Sequence, residues 1–363
     1  MKIAQIESRI VRLPADEPLA AGPVSKGATR NFVILKIRTD DGVEGVGFSY
    51  FGWAITGALR TAVEELGQLI VGDDPLQVET IADKLRAAAG GAGPGGIFTL
   101  ALAAIDIALW DIKGKACGLP VSKLLGGFRD RVRTYASGAL GRPLSQSGVV
   151  TAAGRLVGKG FLQMKTQLAL PGASSANDEI ARIRSIRDEI GADIDLMCDI
   201  NQRWSVHQAI DIGRRIEDVN LFWLEDVTKH DDYQGLGRIT QALSTPIAGG
   251  EYVYGLSAFR QMMEARSVDI VMVDVLRAGG ITQWMKIAGM AEAFNLPIVS
   301  HCHPEVSIHL VAAVPHGLTV EYMPWMHHIF NETLTIEKGD MLVPQRPGLG
   351  LSFNEDALRR YGN

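Results

Sequence analysis

Cysteine is scarce: the 363-residue chain has 3, at Cys117, Cys198 and Cys302. Their odd number and scatter exclude a disulfide framework and a zinc knuckle. They read as small buried hydrophobes in a reducing compartment. No apolar run reaches the roughly 18 residues of a membrane span, so no transmembrane helix is expected. The opening MKIAQIESRIVRL carries charge throughout and reads as a strand rather than a secretory signal. Charge of one sign is not in large excess, with a net charge of −5 and a pI near 5.9. Neither nucleic acid nor an anionic membrane is therefore expected as a partner, and a cytoplasmic location follows as the default. Low-complexity tracts and solenoid-type repeats are also missing.

The composition is 47% hydrophobic, enough for a large core and two domains. Residues 2–13, 31–39 and 43–50 read as strands, the last two joined across Asp41-Gly42, a hairpin turn. From about 55 to 125 the period becomes helical, which predicts an α+β module. GGAGPGG at 90–96 lacks the Lys and Ser/Thr of a phosphate loop and reads as an interhelix connection. After Gly126 short apolar strands alternate with amphipathic helices. The strand candidates are VRTYASG, FLQMKTQ, DIDLMCD, NLFWLE, TPIAGG, VDIVMVD, LPIVSH and LTVEY. Eight such runs over about 200 residues predict a parallel β/α barrel. The tail is rich in Gly and Pro and is expected to wrap back on the first module.

The chemistry sits at the strand ends, which converge at one mouth of a barrel. Asp199, Glu225 and Glu251 close consecutive strands. Three like charges there repel strongly unless a cation joins them, and an all-oxygen set suits Mg²⁺. Asp274 and His301 close the next two strands. The carboxylate can fix the imidazole tautomer and raise its basicity, which suits proton transfer. Lys165 near the end of the second strand is placed to pair with a substrate carboxylate. Glu321, ending the eighth, is a candidate protonated hydrogen-bond donor. Asn201 shares the face of Asp199 by the strand period of two. His303, and an aromatic lid of Tyr50, Phe51 and Trp53, are further candidates for substrate contact. Lys26 and Arg30 are candidates for a distal carboxylate.

These residues resemble the enolase superfamily and, within it, the mandelate racemase-like subgroup, over nearly the whole chain. AAIDIALWDIKGKACGLPVSKLLGG, DINQRW and FWLED carry the resemblance. It implies a modified (β/α)₇β TIM barrel with an α+β N-terminal capping domain. The cap would be 1–125, completed by about 327–363, over a catalytic barrel of 126–326. It also implies one Mg²⁺ on Asp199, Glu225 and Glu251, a His301–Asp274 base, Glu321 as electrophilic partner and Lys165 on the substrate carboxylate. A homo-oligomer, often an octamer, is implied as well. One departure stands out. The family often carries Lys-x-Lys on the second strand, where the second Lys is a base on the opposite face. This chain has Lys165-Thr166-Gln167, and a glutamine takes no proton at neutral pH. With a single base, removal of the proton α to a carboxylate is expected to end in loss of water. The expected activity is that of an acid-sugar dehydratase. A racemase, epimerase or cycloisomerase of a hydroxy acid or lactone is the alternative.

Overall fold

A computed structural model describes residues 1–363 except 16, 21–26, 51, 53, 171–174 and 363. Strands β1 (Ile3–Pro14), β2 (Thr29–Thr39) and β3 (Glu44–Tyr50) form an antiparallel sheet. Helices α1 (Thr56–Gln68), α2 (Val78–Ala88), α3 (Gly96–Cys117) and α4 (Val121–Leu124) follow. The GGAGPGG segment joins α2 to α3. Helix α3 is apolar on nearly all sides and is buried almost throughout, as a helix without a polar face must be. It lies directly on β3. A side chain at Gly45 or Gly47 would come within 2.3 or 2.2 Å of the carbonyls of Ala108 and Ala104, so glycine permits that approach.

Seven strand–helix units and a final strand come next. They are β4 (Arg131–Leu140), α5 (Gln146–Gly158), β5 (Gln163–Gln167), α6 (Ala176–Ile190), β6 (Asp195–Asp199), α7 (Val206–Arg215), β7 (Trp223–Glu225) and α8 (Tyr233–Ala242). The series continues with β8 (Ile247–Gly249), α9 (Leu256–Glu264), β9 (Ile270–Asp274), α10 (Val275–Ala278), α11 (Ile281–Ala293), β10 (Ile298–His301), α12 (Pro304–Ala313) and β11 (Thr319–Tyr322). Strands β4 to β10 pair in parallel in sequence order, and β11 pairs in parallel with β4. Leu318 N–H, just before β11, donates to the carbonyl of Ile298 in β10, closing the ring. This is a modified (β/α)₇β barrel.

Tyr135, Met197, Trp223, Ala248, Met272 and Val299 fill its interior, so the barrel is a packed core with chemistry only at its mouth. The tail forms a hairpin of β12 (Ile336–Glu337) and β13 (Asp340–Leu342), whose second strand pairs antiparallel with β4. It ends in α13 (Glu355–Tyr361), which returns to the first sheet, where Gly362 bridges Val11. No helix among the described residues is long and apolar enough to cross a membrane.

Candidate active site

Strand register sets the site. Gln167 pairs beside Asp199, Asp199 beside Glu225, and Asp274 beside His301. The strands therefore deliver these side chains to one end of the barrel at one height. A cavity of about 820 Å³ opens there, lined by Lys165, Gln167, Asp199, Asn201, Glu251, His301 and Glu321.

The cluster suited to a cation holds four carboxylates, one more than the three expected from the sequence. Asp199, Glu225 and Glu251 are joined by Asp226, and all are buried. Oxygens of Glu225, Asp226 and Glu251 lie within 4.8 Å of one another. Both oxygens of Asp199 are held by Asn201, through its backbone N–H at 2.8 Å and its Nδ2 at 2.7 Å. Glu225 accepts from Lys165 Nζ at 2.5 Å and from Trp223 Nε1 at 2.8 Å. Oδ2 of Asp226 has no hydrogen-bond partner. Burial, then repulsion from Glu251, pushes the Asp199 carboxyl up to about 6 despite Lys165. Burial, with repulsion from Asp199 and Glu251 added, pushes Glu225 up to about 8. Asp226 is raised well above the carboxylate range by burial and by Glu251. Hard oxygen donors, an orphaned buried carboxylate oxygen and excess negative charge together fit a divalent cation of the Mg²⁺ type.

The His301–Asp274 pair forms as expected. Nδ1 of His301 lies 2.7 Å from Asp274 Oδ2, and its Nε2 lies 3.1 Å from Glu251 Oε2. Asp274 also caps α10, accepting at 2.8 Å from the N–H groups of both Leu276 and Arg277. Burial opposes its ionisation, yet the His301 hydrogen bond and the Arg277 charge hold its carboxyl well below the usual range. Burial would lower the His301 imidazole, but Cys302, Glu251 and Asp274 outweigh it and raise it well above its ordinary value.

Several expectations change. Glu321 is placed to accept rather than to donate. Its carboxylate lies 2.9 Å from Lys165 Nζ and accepts from Cys302 N–H at 2.6 Å. Burial acts to raise it, but Lys165, His301 and that N–H hold it at about 2. Asn201 reaches Asp199 through a left-handed backbone at φ 48°, not through strand alternation. His303, also left-handed at φ 47°, is turned away from the cavity wall and packs on Phe48 with ring centroids 5.6 Å apart. Tyr50 is half-buried and stacks on Phe32 behind Trp325, and it is Trp325 that lines the cavity. Phe51, Trp53 and Lys26 lie outside the described residues. Arg30 meets the Glu17 carboxylate and lies 4.4 Å over the Trp325 ring.

Asp226, Arg142 and Cys302 join the site without having been expected from the sequence. Arg142 Nη2 donates to Asn201 Oδ1 at 2.8 Å, and its backbone N–H donates to Gln167 Oε1 at 3.3 Å. Gln167 Nε2 thereby faces Asn201 Oδ1 at 3.5 Å. The double acid of FWLED was the available signal for Asp226. Arg142 and Cys302 offered none beyond adjacency to a strand end and to His301.

Residues 6–126 match the mandelate racemase/muconate lactonizing enzyme N-terminal domain, and residues 148–357 match the enolase C-terminal domain-like family. The chain belongs to the mandelate racemase/muconate lactonizing enzyme family of the enolase superfamily. Within that family it is 34% identical to an L-talarate/galactarate dehydratase of Salmonella typhimurium, over 99% of this chain and 90% of that protein. It is 31% identical to a 3,6-anhydro-alpha-L-galactonate cycloisomerase of Streptomyces coelicolor, over 99% of each chain. The solved L-talarate dehydratase of Polaromonas sp. JS666, complexed with Mg and L-glucarate, superposes with a TM-score of 0.91 at 32% identity. That match covers 100% of this chain and 97% of that one.

Proposed function

We propose that this chain is a Mg²⁺-dependent acid-sugar dehydratase, a hydro-lyase that converts an aldonate or aldarate to a 2-keto-3-deoxy acid. One observation carries the reading. His301, backed by Asp274, is the evident base on the cavity wall, and an amide, Gln167, occupies the facing strand end. Relatives with dehydratase names, the Mg-bound neighbour structure and the carboxylate cluster support it.

Asp199, Glu225 and Glu251 would hold the cation, with Asp226 beside them. When bound, it supplies positive charge that acidifies the proton α to a carboxylate. Lys165, whose ammonium lies at the cavity wall, would pair with the substrate carboxylate and stabilise its developing enediolate charge. Glu321 keeps the Lys165 ammonium aimed at the cavity. With the Glu251 charge offset by a cation, one cause of the raised imidazole would be removed, and Nε2 of His301 would then take the α-proton while Asp274 holds Nδ1–H. The resulting imidazolium returns that proton to the departing β-hydroxyl, so the net change is loss of one water. Gln167 and Asn201 have no proton-accepting nitrogen to reprotonate the far face, and they serve as hydrogen-bonding groups for substrate hydroxyls.

A cycloisomerase is the second reading, favoured by relatives of that name at comparable coverage. A panel of aldonates, aldarates and their anhydro or lactone forms, assayed with Mg²⁺ for 2-keto-3-deoxy acid, tests both. Water loss from an open-chain acid is expected. Isomerisation of a cyclic substrate without water loss would favour the second reading. Deuterium exchange at C2 of another hydroxy acid, with no turnover of the panel, would defeat both.

We further infer a cap of residues 1–125 completed by about 327–363 over a barrel of 126–326, and a homo-oligomer, with an octamer as the leading candidate, in the cytoplasm. The pairing of β13 with β4 means that part of the tail also extends the barrel sheet.

A further inference from the structure

A second donor set stands on the same cavity wall. His301 Nε2, Cys302 Sγ and a carboxylate oxygen of Glu321 lie within 4.8 Å of one another. The sulfur is 3.3 Å from Nε2. In a tetrahedral zinc site, bonds of about 2.0–2.3 Å place ligand atoms roughly 3.3–3.8 Å apart. The nitrogen–sulfur pair is therefore already at ligand spacing, and Glu321 needs a shift of at most about 1 Å. The donor chemistry differs from that of the carboxylate cluster. Nitrogen, sulfur and one oxygen suit a borderline, thiophilic cation, whereas an all-oxygen set suits a hard one.

A separate feature points the same way. The other ring nitrogen of His301 is fixed by Asp274 at 2.7 Å. Metal-binding histidines almost always donate their second N–H to such a group, which leaves the remaining nitrogen's lone pair for the ion. Two contacts oppose the site: the Lys165 ammonium, 2.9 Å from Glu321, competes for that carboxylate, and Glu251 Oε2, 3.1 Å from His301 Nε2, competes for that nitrogen. The His301–Cys302 pair must then carry most of the binding.

We propose that His301, Cys302 and Glu321 form a site for a thiophilic divalent cation of the zinc class, distinct from the all-oxygen cluster and with its fourth position open to the cavity. On binding, the S–H bond of Cys302 is replaced by an S–metal bond, the proton passes to solvent and no electron moves. The Nε2 lone pair is then engaged and takes no substrate proton, so zinc inhibits turnover. Only that inhibition rests on the dehydratase reading.

The test uses the full chain carrying Cys117→Ser, which removes the exposed thiol, saturated with Mg²⁺ and titrated with Co²⁺ as a spectroscopic probe. The expected result is a thiolate-to-cobalt charge-transfer band that saturates at one equivalent, is displaced by Zn²⁺ and is absent in Cys302→Ser. Absence of the band, or its persistence in Cys302→Ser, would overturn the proposal. Zinc X-ray absorption on the protein with Cys302 intact gives an answer independent of that variant's folding. One sulfur neighbour at about 2.3 Å is expected, and a shell of oxygen and nitrogen alone would overturn the site. Both readouts decide the metal site even if no sugar acid is turned over, and so separate its failure from that of the dehydratase reading.

Discussion

At the seam between the first sheet, α3 and the tail, the buried Asp111 has every oxygen occupied. Oδ1 accepts from Leu349 N–H at 2.8 Å, and Oδ2 accepts from Val46 N–H at 2.8 Å and Lys115 Nζ at 2.7 Å. Nearby, buried His309 accepts from Ser122 N–H through Nδ1, and its Nε2 lies 3.1 Å from the carbonyl of Leu349. At the barrel mouth Lys165 serves both Glu225 and Glu321, His301 serves both Glu251 and Asp274, and an oxygen of Asp226 has no hydrogen-bond partner. The first cluster is completed by the chain itself and acts as a clamp. The second is completed only by something that arrives, which is the mark of a site built to bind. Both are buried to a similar degree, so burial alone does not distinguish a structural charge from a functional one. The count of partners does.

The largest effect expected from breaking this contrast is at the base. His301→Asn should lower turnover by roughly 10³–10⁴-fold, near the upper end for removal of a general base. Mg²⁺ binding measured by calorimetry should persist. Next, Glu225→Gln should weaken Mg²⁺ by at least about 100-fold, since loss of even an outer-sphere partner costs about 10–100-fold. The melting temperature of the metal-free variant should not fall, because one of several mutually repelling carboxylates has gone. A clear loss of metal-free stability would place Glu225 with the structural charges.

Asp111→Asn should do the reverse, destabilising the protein by about 2 kcal/mol through lost charge-assisted hydrogen bonds with Mg²⁺ affinity intact. The smallest effect at neutral pH is expected for His309→Gln, about 1 kcal/mol. Its value lies in the acid limb. Burial pushes His309 down to about 4 from an ordinary 6.5. The unfolded chain therefore takes up this proton first as pH falls. The stability it contributes is complete above pH 6.5 and is lost progressively towards pH 4, by up to about 3 kcal/mol. Denaturant titrations from pH 7 to 4 should show a shallower decline in His309→Gln.

The barrel and most of the mouth were legible because β6, β7, β9 and β10 stop on Asp199, Glu225, Asp274 and His301, and strand register then aligns those stops, while Glu251 lies two residues past β8. What escaped the sequence lies just past the strand ends. Asp226, Asn201, Cys302 and His303 all have positive φ, from 44° to 49°. There the period of two no longer says which way a side chain points. That turn brings Asp226 into the cluster, and it takes His303 out of the cavity. The roof was illegible for another reason. Trp325 donates to Glu17 across 308 residues of sequence, a contact that no local pattern encodes. The accepting role of Glu321 escaped as well, because it depends on Lys165 and on a single backbone N–H.

The most direct measurement is turnover of the responding sugar acid in deuterated water with saturating Mg²⁺, followed by mass and configurational analysis of product and recovered substrate. One base facing one amide should give a 2-keto-3-deoxy acid, one water lighter, and no C2 epimer in the recovered substrate. A deuterated C2 epimer, formed without the keto acid, would show a second base on the Gln167 side and contradict the assignment of His301 as the sole proton carrier.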